Sequence, residues 1–388
     1  MKKLANWKTY LLHIALFLLT FIGVTLAGTE WRSGKIVWLD SYSWQDFTDG
    51  FAFSIPFLSF LLVHEMGHYL TARYYKVKAS LPYFIPLWLN ILLPVLGAHL
   101  PSIGTMGAVI RIKERIHSQI QHFDIGIAGP LAGFVVSLGV LLYGFTHLPP
   151  HDYIFTIHPE YADFGENWEA TAYLPENNPA GGMSIQLGKN LLFIAFEKWV
   201  TPAGAWVPNA YELIHYPYLF AGFLGLFFTA MNLLPIGQLD GGHVMYGLVG
   251  NTWHKRIAIV FFLALVFFAG LSLPRSEPDE SFIQILFRIV FYLIFLIFLL
   301  AKLPLRKNSK LILALVIICG QLLIGYFWPQ TDGYIGWMLF AIILGRFIGV
   351  THPRVAIEEE LSPGRKVLGW LAILIFVICF SPQPLVIQ

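Results

Sequence analysis

Apolar positions along this chain run in long blocks with no helical or alternating stripe, the pattern of segments that are apolar on every face. From Phe51 to Val63 the sequence reads FAFSIPFLSFLLV without a charged side chain. Runs of about 17 to 25 such residues suit helices that cross a bilayer. Nine are expected, near 10–28, 51–72, 124–147, 217–238, 256–273, 282–301, 309–328, 334–350 and 367–381. The first apolar run, Tyr10 to Ala27, is longer than the roughly 7 to 15 residues of a signal-peptide core, so it is read as an uncleaved span.

Two stretches interrupt the pattern. Residues 79–112 are apolar, yet Pro82, Pro86, Pro94 and Pro101 exclude one continuous helix. Irregular backbone at membrane depth must be buried in protein or line a cavity. A re-entrant segment against the 51–72 helix is therefore expected, ending in the strand-like run GAVIRIK (107–113). Residues 148–215, which include HPEYADFGENWEATAYLPENNPAGG, are expected to form an acidic insert outside the membrane with an amphipathic helix near 186–199. The fold class is an all-α polytopic membrane protein of about nine spans, with a re-entrant segment carrying a short β-strand or hairpin. The expected organisation is an N-terminal span and outer loop (1–50), a membrane core (51–250) and accessory C-terminal spans (251–388).

Composition agrees. The 388 residues are 56% hydrophobic and 12% charged, with mean hydropathy +0.65, against roughly 25% charged in a soluble domain. The expected surroundings are a lipid bilayer, and no nucleic-acid partner is expected. Cys319 and Cys379, both in apolar spans, support neither a disulfide framework nor a thiolate metal site. With the amino terminus in the cytoplasm, 19 of the 25 lysines and arginines fall on the inner side, a strong positive-inside bias. The 51–72 span then runs from outside to inside, and LSPGRK (361–366) belongs to a solvated inner linker. A chain of this kind without a transit peptide fits a bacterial inner membrane.

Residues 61–70, LLVHEMGHYL, set two histidines four apart around a glutamate within such a span. On a helix His64 and His68 share one face, as two zinc ligands require, and Glu65 lies beside the first to take a proton from the attacking water. Ionisable groups at this depth are read by default as functional. A catalytic zinc needs a third protein ligand. Asp240, in MNLLPIGQLDGGH (231–243), is a candidate at the same inner depth and the only acidic residue between Glu212 and Glu277; a turn aspartate beside Gly241 and Gly242 is the alternative. His243 is either a partner of that aspartate or a solvated histidine. Asp124 reads as a helix N-terminal residue, and Gly126, Gly129, Pro130 and Gly133 as a close-packing face or a gate.

The pairing of HEMGH with Asn232, Pro235, Leu239, Asp240 and Gly241 resembles the site-2 protease family of intramembrane zinc metalloproteases, nearest its PDZ-less bacterial and plastid branches. GTMGAVIRIKE (104–114) and FDIGIAGPLAGFVVSL (123–138) extend the likeness over about residues 50 to 250. The resemblance implies one zinc ion per chain held by His64, His68 and Asp240, Glu65 as general base, and Asn232 near the substrate or its oxyanion. It further implies hydrolysis of a peptide bond within or near the transmembrane segment of a single-span membrane protein, after a first cut by an upstream site-1-type protease. Gly107, Val109 and Ile110 would hold the unwound substrate by strand addition, the alternative being a strand that only plugs the mouth of the cavity. Two rival readings are a membrane metal-ion transporter, which should show polar residues along several spans or an inverted repeat, and a catalytically silent relative that binds membrane proteins.

Overall fold

The computed structural model describes residues 2–174, 177, 185–275 and 280–387. Part of the acidic insert, 175–176 and 178–184, lies outside the described residues.

The chain opens with helix α1 (Lys2–Ser33) and a single-turn α2 (Trp44–Asp49), which starts in a reciprocal Ser43–Asp46 capping box. Helix α3 (Phe51–Tyr74) follows. Strand β1 (Tyr83–Leu87), the turn-length α4 (Leu93–Leu96) and strand β2 (Gly104–Val109) fill the proline-rich stretch before α5 (Gln119–Thr146). The insert contributes α6 (Trp168–Thr171), β3 (Ile185–Leu187) and α7 (Leu191–Trp199). Next come α8 (Pro217–Asn232), α9 (Asp240–Ala269), α10 (Phe282–Leu300), α11 (Lys307–Phe327), α12 (Gly336–Ile342, prolonged by a π turn to Ile348), α13 (Pro363–Cys379) and β4 (Leu385–Ile387).

Among the described residues six helices are long and apolar enough to cross a membrane: Trp7–Ser33, Trp44–Tyr74, Gln119–Thr146, Asp240–Ala269, Phe282–Leu300 and Lys307–Phe327. The other three of the nine expected spans coincide with shorter helices. At about 1.5 Å per residue, the 16-residue α8 reaches only about 24 Å, against a hydrocarbon core of about 30 Å. It stops at Asn232 because Pro235 follows closely. Helix α9 begins earlier than the expected 256–273 span, with Asp240 as its first residue, and breaks at Gly250 (φ 75°, ψ 173°).

Contacts divide the chain into two compact units. The first comprises Met1–Arg115, Ala128–Met231 and Leu374–Gln388, the second Ile116–Ile127 and Asn232–Ile373. In the first, α3 carries a ladder of buried phenylalanines: Phe53 and Phe57 stack at 5.4 Å, Phe57 and Phe60 at 6.3 Å, and Phe220 of α8 stacks on Phe53 at 5.3 Å. Glycines allow α5 to approach: a Cβ on Gly67 would lie 2.5 Å from the Ala128 carbonyl oxygen. The insert has its own small core of Ile154, Trp168 and Ala172 ringed by aromatic residues, and β3 pairs with β4 in antiparallel register.

The proline-rich stretch is a β-hairpin. Strand β2 runs from Gly104 to Val109, not 107–113, and of the expected strand or hairpin it is the hairpin that forms, with β1 as partner. The pairing Tyr83↔Val109, Phe84↔Ala108, Pro86↔Thr105 leaves an extra residue in β2 beside Gly107, whose φ of +107° is that of a glycine bulge. The hairpin and its connection lie along α1, where Trp31 Nε1 donates to the Ser102 carbonyl at 2.9 Å and Trp88 Nε1 to Glu30 at 2.9 Å. Its end reaches α3, the helix against which it was expected.

In the second unit Gln321 on α11 donates to Tyr292 Oη (3.0 Å) and to the Phe267 carbonyl (2.9 Å), tying α11 to α10 and α9. The 351–366 linker is mostly exposed, as a solvated connection should be, and is anchored at a few points. Arg365 lies in the first turn of α13 and grips Asp124 through Nε and Nη2, each at 2.8 Å, while Glu358 accepts from Tyr246 at 3.0 Å. Asp124 sits in the second turn of α5, not at its start, because the helix begins at Gln119.

Candidate functional site

Helix α3 carries His64, Glu65 and His68 in its C-terminal half, all less than 9% exposed. The four-residue step brings His64 Nε2 and His68 Nε2 to 3.2 Å. Tetrahedral zinc with Zn–N of about 2.0–2.1 Å sets its ligands about 3.3 Å apart, so the two rings have the spacing of ligands on one ion. Ligand atoms of His64, Glu65 and His68 all lie within 4.8 Å of one another. Two imidazoles beside a carboxylate are a donor set that suits zinc.

Glycines on α5 shape the space around them. A Cβ on Gly129 would fall inside the His68 ring, and one on Gly133 would lie 3.1 Å from His64 Cβ and 2.8 Å from Phe60. These two positions are packing positions. Glu65 is held from the other side, where the Ile110 backbone N–H donates to its Oε2 at 2.7 Å. Ile110 directly follows β2, so the hairpin orients the carboxylate; Val109, at the strand's end, is half exposed. Thr105 Oγ1 accepts from the Gly107 N–H (2.9 Å) and donates to the Ile85 carbonyl (2.8 Å), fixing the bulge.

Asn232 and Asp240 belong to the second unit. Between them Gly237 (φ +59°) donates to the Val350 carbonyl at 2.8 Å and turns the chain. Gly241 faces the Leu233 carbonyl and Gly242 those of Ile236 and Gly237, so closely that a Cβ on either would collide with backbone. The glycines after Asp240 are thus what lets α9 start against its own preceding turn. Both motifs fall within residues 52–273, which match the model of peptidase family M50 and make up more than half of the chain. The chain belongs to this family, the site-2 proteases. Among curated M50-like relatives, "Probable zinc metalloprotease EGY1, chloroplastic" of Arabidopsis thaliana is 31% identical over 231 residues, covering 59% of this chain and 35% of that one. "Probable zinc metalloprotease EGY2, chloroplastic" of Oryza sativa subsp. indica is 26% identical over 246 residues, 58% of this chain and 38% of that one. The chain thus spans little more than a third of the length of these relatives. No solved structure matches.

Around this M50 core, one group of side chains escaped sequence reasoning. His243, expected beside Asp240 or in solvent, sits in an imidazole cluster of the second unit. Its Nδ1 is 2.8 Å from His352 Nε2, and its ring stacks on His122 at 5.0 Å. Gly126 packs against His243 Cβ. No spacing rule links residues 122, 243 and 352, so only the fold could bring them together.

Proposed function

We propose that this chain is an intramembrane zinc endopeptidase that cuts a peptide bond within or near the transmembrane segment of a single-span membrane protein. The observation that carries the reading is the buried His64–Glu65–His68 face on a membrane-length apolar helix, with Glu65 held by the amide that ends β2. Zinc held by His64, His68 and Asp240 would supply a Lewis acid that polarises the scissile carbonyl and acidifies the attacking water. Glu65 takes the proton of that water and passes it to the leaving amine. Asn232 offers an amide to the substrate or its oxyanion. Burial among Phe57, Phe60 and the glycine face of α5 keeps bulk water from the reacting groups.

A helical substrate hides its carbonyls in hydrogen bonds, so it must unwind before it can be cut. Among the described residues β2 has β1 as its only strand neighbour, which supports strand addition by a substrate segment near Gly107, Val109 and Ile110. The lysine and arginine bias supports a cytoplasmic amino terminus, with the histidines in the inner half of a bacterial inner membrane. The competing location is the plastid printed in the relatives' names. An upstream site-1-type protease would trim the substrate first.

Three measurements test the assignment. Asp240→Ala is expected to hold one zinc fewer than wild type and to lose cleavage of a model single-span substrate in liposomes; unchanged zinc content removes Asp240 from the ligand set. Val109→Pro, which deletes a strand N–H, is expected to slow cleavage at least tenfold while zinc content stays at the wild-type level, and unaltered cleavage would rule out strand addition. Zinc uptake into liposomes without any cleavage by wild type would replace the protease with a transporter.

A further inference from the structure

A second set of metal-ligating side chains lies in the insert of the first unit, outside the membrane-length helices. Glu212 and His215 occupy one short turn directly before α8 and share a face through their three-residue spacing. His158 approaches from the insert.

The hydrogen bonds around these three residues leave three acceptor atoms close together. Glu212, 2% exposed, uses Oε1 to accept from Tyr173 Oη at 2.6 Å and from Tyr161 Oη at 3.2 Å. Its Oε2 is buried and has no hydrogen-bond partner among the described residues. His215 Nδ1 is 2.9 Å from the Arg32 carbonyl oxygen, so Nδ1 carries the proton and Nε2 the lone pair. His158 Nδ1 is 3.0 Å from Glu160 Oε1 and is assigned in the same way. The freed atoms converge: Nε2 to Nε2 is 3.2 Å, and Glu212 Oε2 is 3.9 Å from His158 Nε2 and 3.7 Å from His215 Nε2.

With both rings neutral and protonated on Nδ1, hydrogen bonding does not account for this arrangement. At 3.7 and 3.9 Å the carboxylate oxygen is too far from either ring to share a proton with it, and two imidazole lone pairs facing each other at 3.2 Å repel. A cation among the three atoms removes each conflict. Zinc at about 2.0–2.2 Å from nitrogen and oxygen ligands separates them by about 3.3–3.5 Å, within the span of the three observed distances. The outer partners are those that orient metal ligands: a carboxylate and a backbone carbonyl on the two Nδ1–H groups, and two phenols on the second carboxylate oxygen.

We propose that His158 Nε2, Glu212 Oε2 and His215 Nε2 form a second binding site for a divalent transition-metal ion of the zinc class, separate from the centre on α3. The ion ties the insert to the membrane helices. His215 is anchored on the Arg32 carbonyl at the end of α1 and lies two residues before Pro217, the first residue of α8, whereas His158 belongs to the insert. The His158 side chain is 27% exposed, so the site lies close to solvent.

The test is the metal content of the full chain, loaded with zinc in detergent and freed of excess ion. Wild type should hold one zinc per chain more than Glu212→Gln and one more than His158→Ala. Zinc should raise the melting temperature of the wild type by several degrees and have a smaller effect on His158→Ala. His64→Ala/His68→Ala should lose a different equivalent, additive with the first. If Glu212→Gln and His158→Ala retain the wild-type zinc content, the second site does not exist, whatever the α3 variant does. If only the α3 variant retains it, the protease reading fails and this site stands. Should Glu212→Gln not fold, His158→Ala, at a partly exposed position, decides alone.

Discussion

Glu65→Gln is expected to retain the zinc of the wild type while cutting a model single-span substrate about 10²–10⁴ times more slowly, the range in which a positioned acid–base group contributes. The substitution keeps the size of the side chain and an oxygen able to accept from the Ile110 N–H, so the 2.7 Å contact to the hairpin survives. What disappears is the capacity to take a proton. His64 and His68 keep their 3.2 Å approach, so zinc content measured beside single-turnover cleavage separates the base from the ligands. Full activity in Glu65→Gln would end the assignment of Glu65. Loss of zinc with loss of activity would make Glu65 a ligand and not the base.

Gly129→Ala is expected to weaken zinc binding by about 10–100-fold, the scale on which groups that orient a metal ligand act, and to lower stability by about 1–3 kcal/mol as an overpacked core position. The added methyl occupies the space of the His68 ring, so either the ring rotates away from His64 or α3 and α5 move apart. Gly139→Ala on the same helix is the control. A Cβ there meets nothing within 4 Å, and alanine in a helix should be neutral or stabilising by up to about 1 kcal/mol. Competition with a chromophoric chelator gives the affinity, and thermal melting in detergent gives the stability. Equal zinc affinity in Gly129→Ala and Gly139→Ala would show that the ring of His68 is not confined by α5.

Features legible in the sequence share a physical basis. The six long helices are runs of apolar residues, and each satisfies its backbone within itself, so length and hydropathy reveal them without a partner. The spacing of His64 and His68 fixes their common face as soon as the segment is a helix. Apolar composition alone suggests nine spans, but Pro235 follows the early end of α8, and even with its π turn α12 runs only from Gly336 to Ile348.

The hairpin was half legible. Four prolines forbade a helix over residues 79–112, but a strand needs a partner, and the register of β1 on β2 with its bulge at Gly107 is a property of the pair. Likewise Glu65 is in the motif, whereas the Ile110 amide that holds it comes 45 residues later. The sequence by itself determined the membrane-length helices, the paired motifs that mark the family, and the helical spacing of the two histidines, since these depend on neighbours within a turn or a span. Only the tertiary structure decided what surrounds them: the glycine face against His68, the hairpin on Glu65, the Asp124–Arg365 clasp and the convergence of His158 on Glu212 and His215. Those contacts join residues tens to hundreds of positions apart, and no local periodicity encodes which distant groups a folded chain will bring within 4 Å.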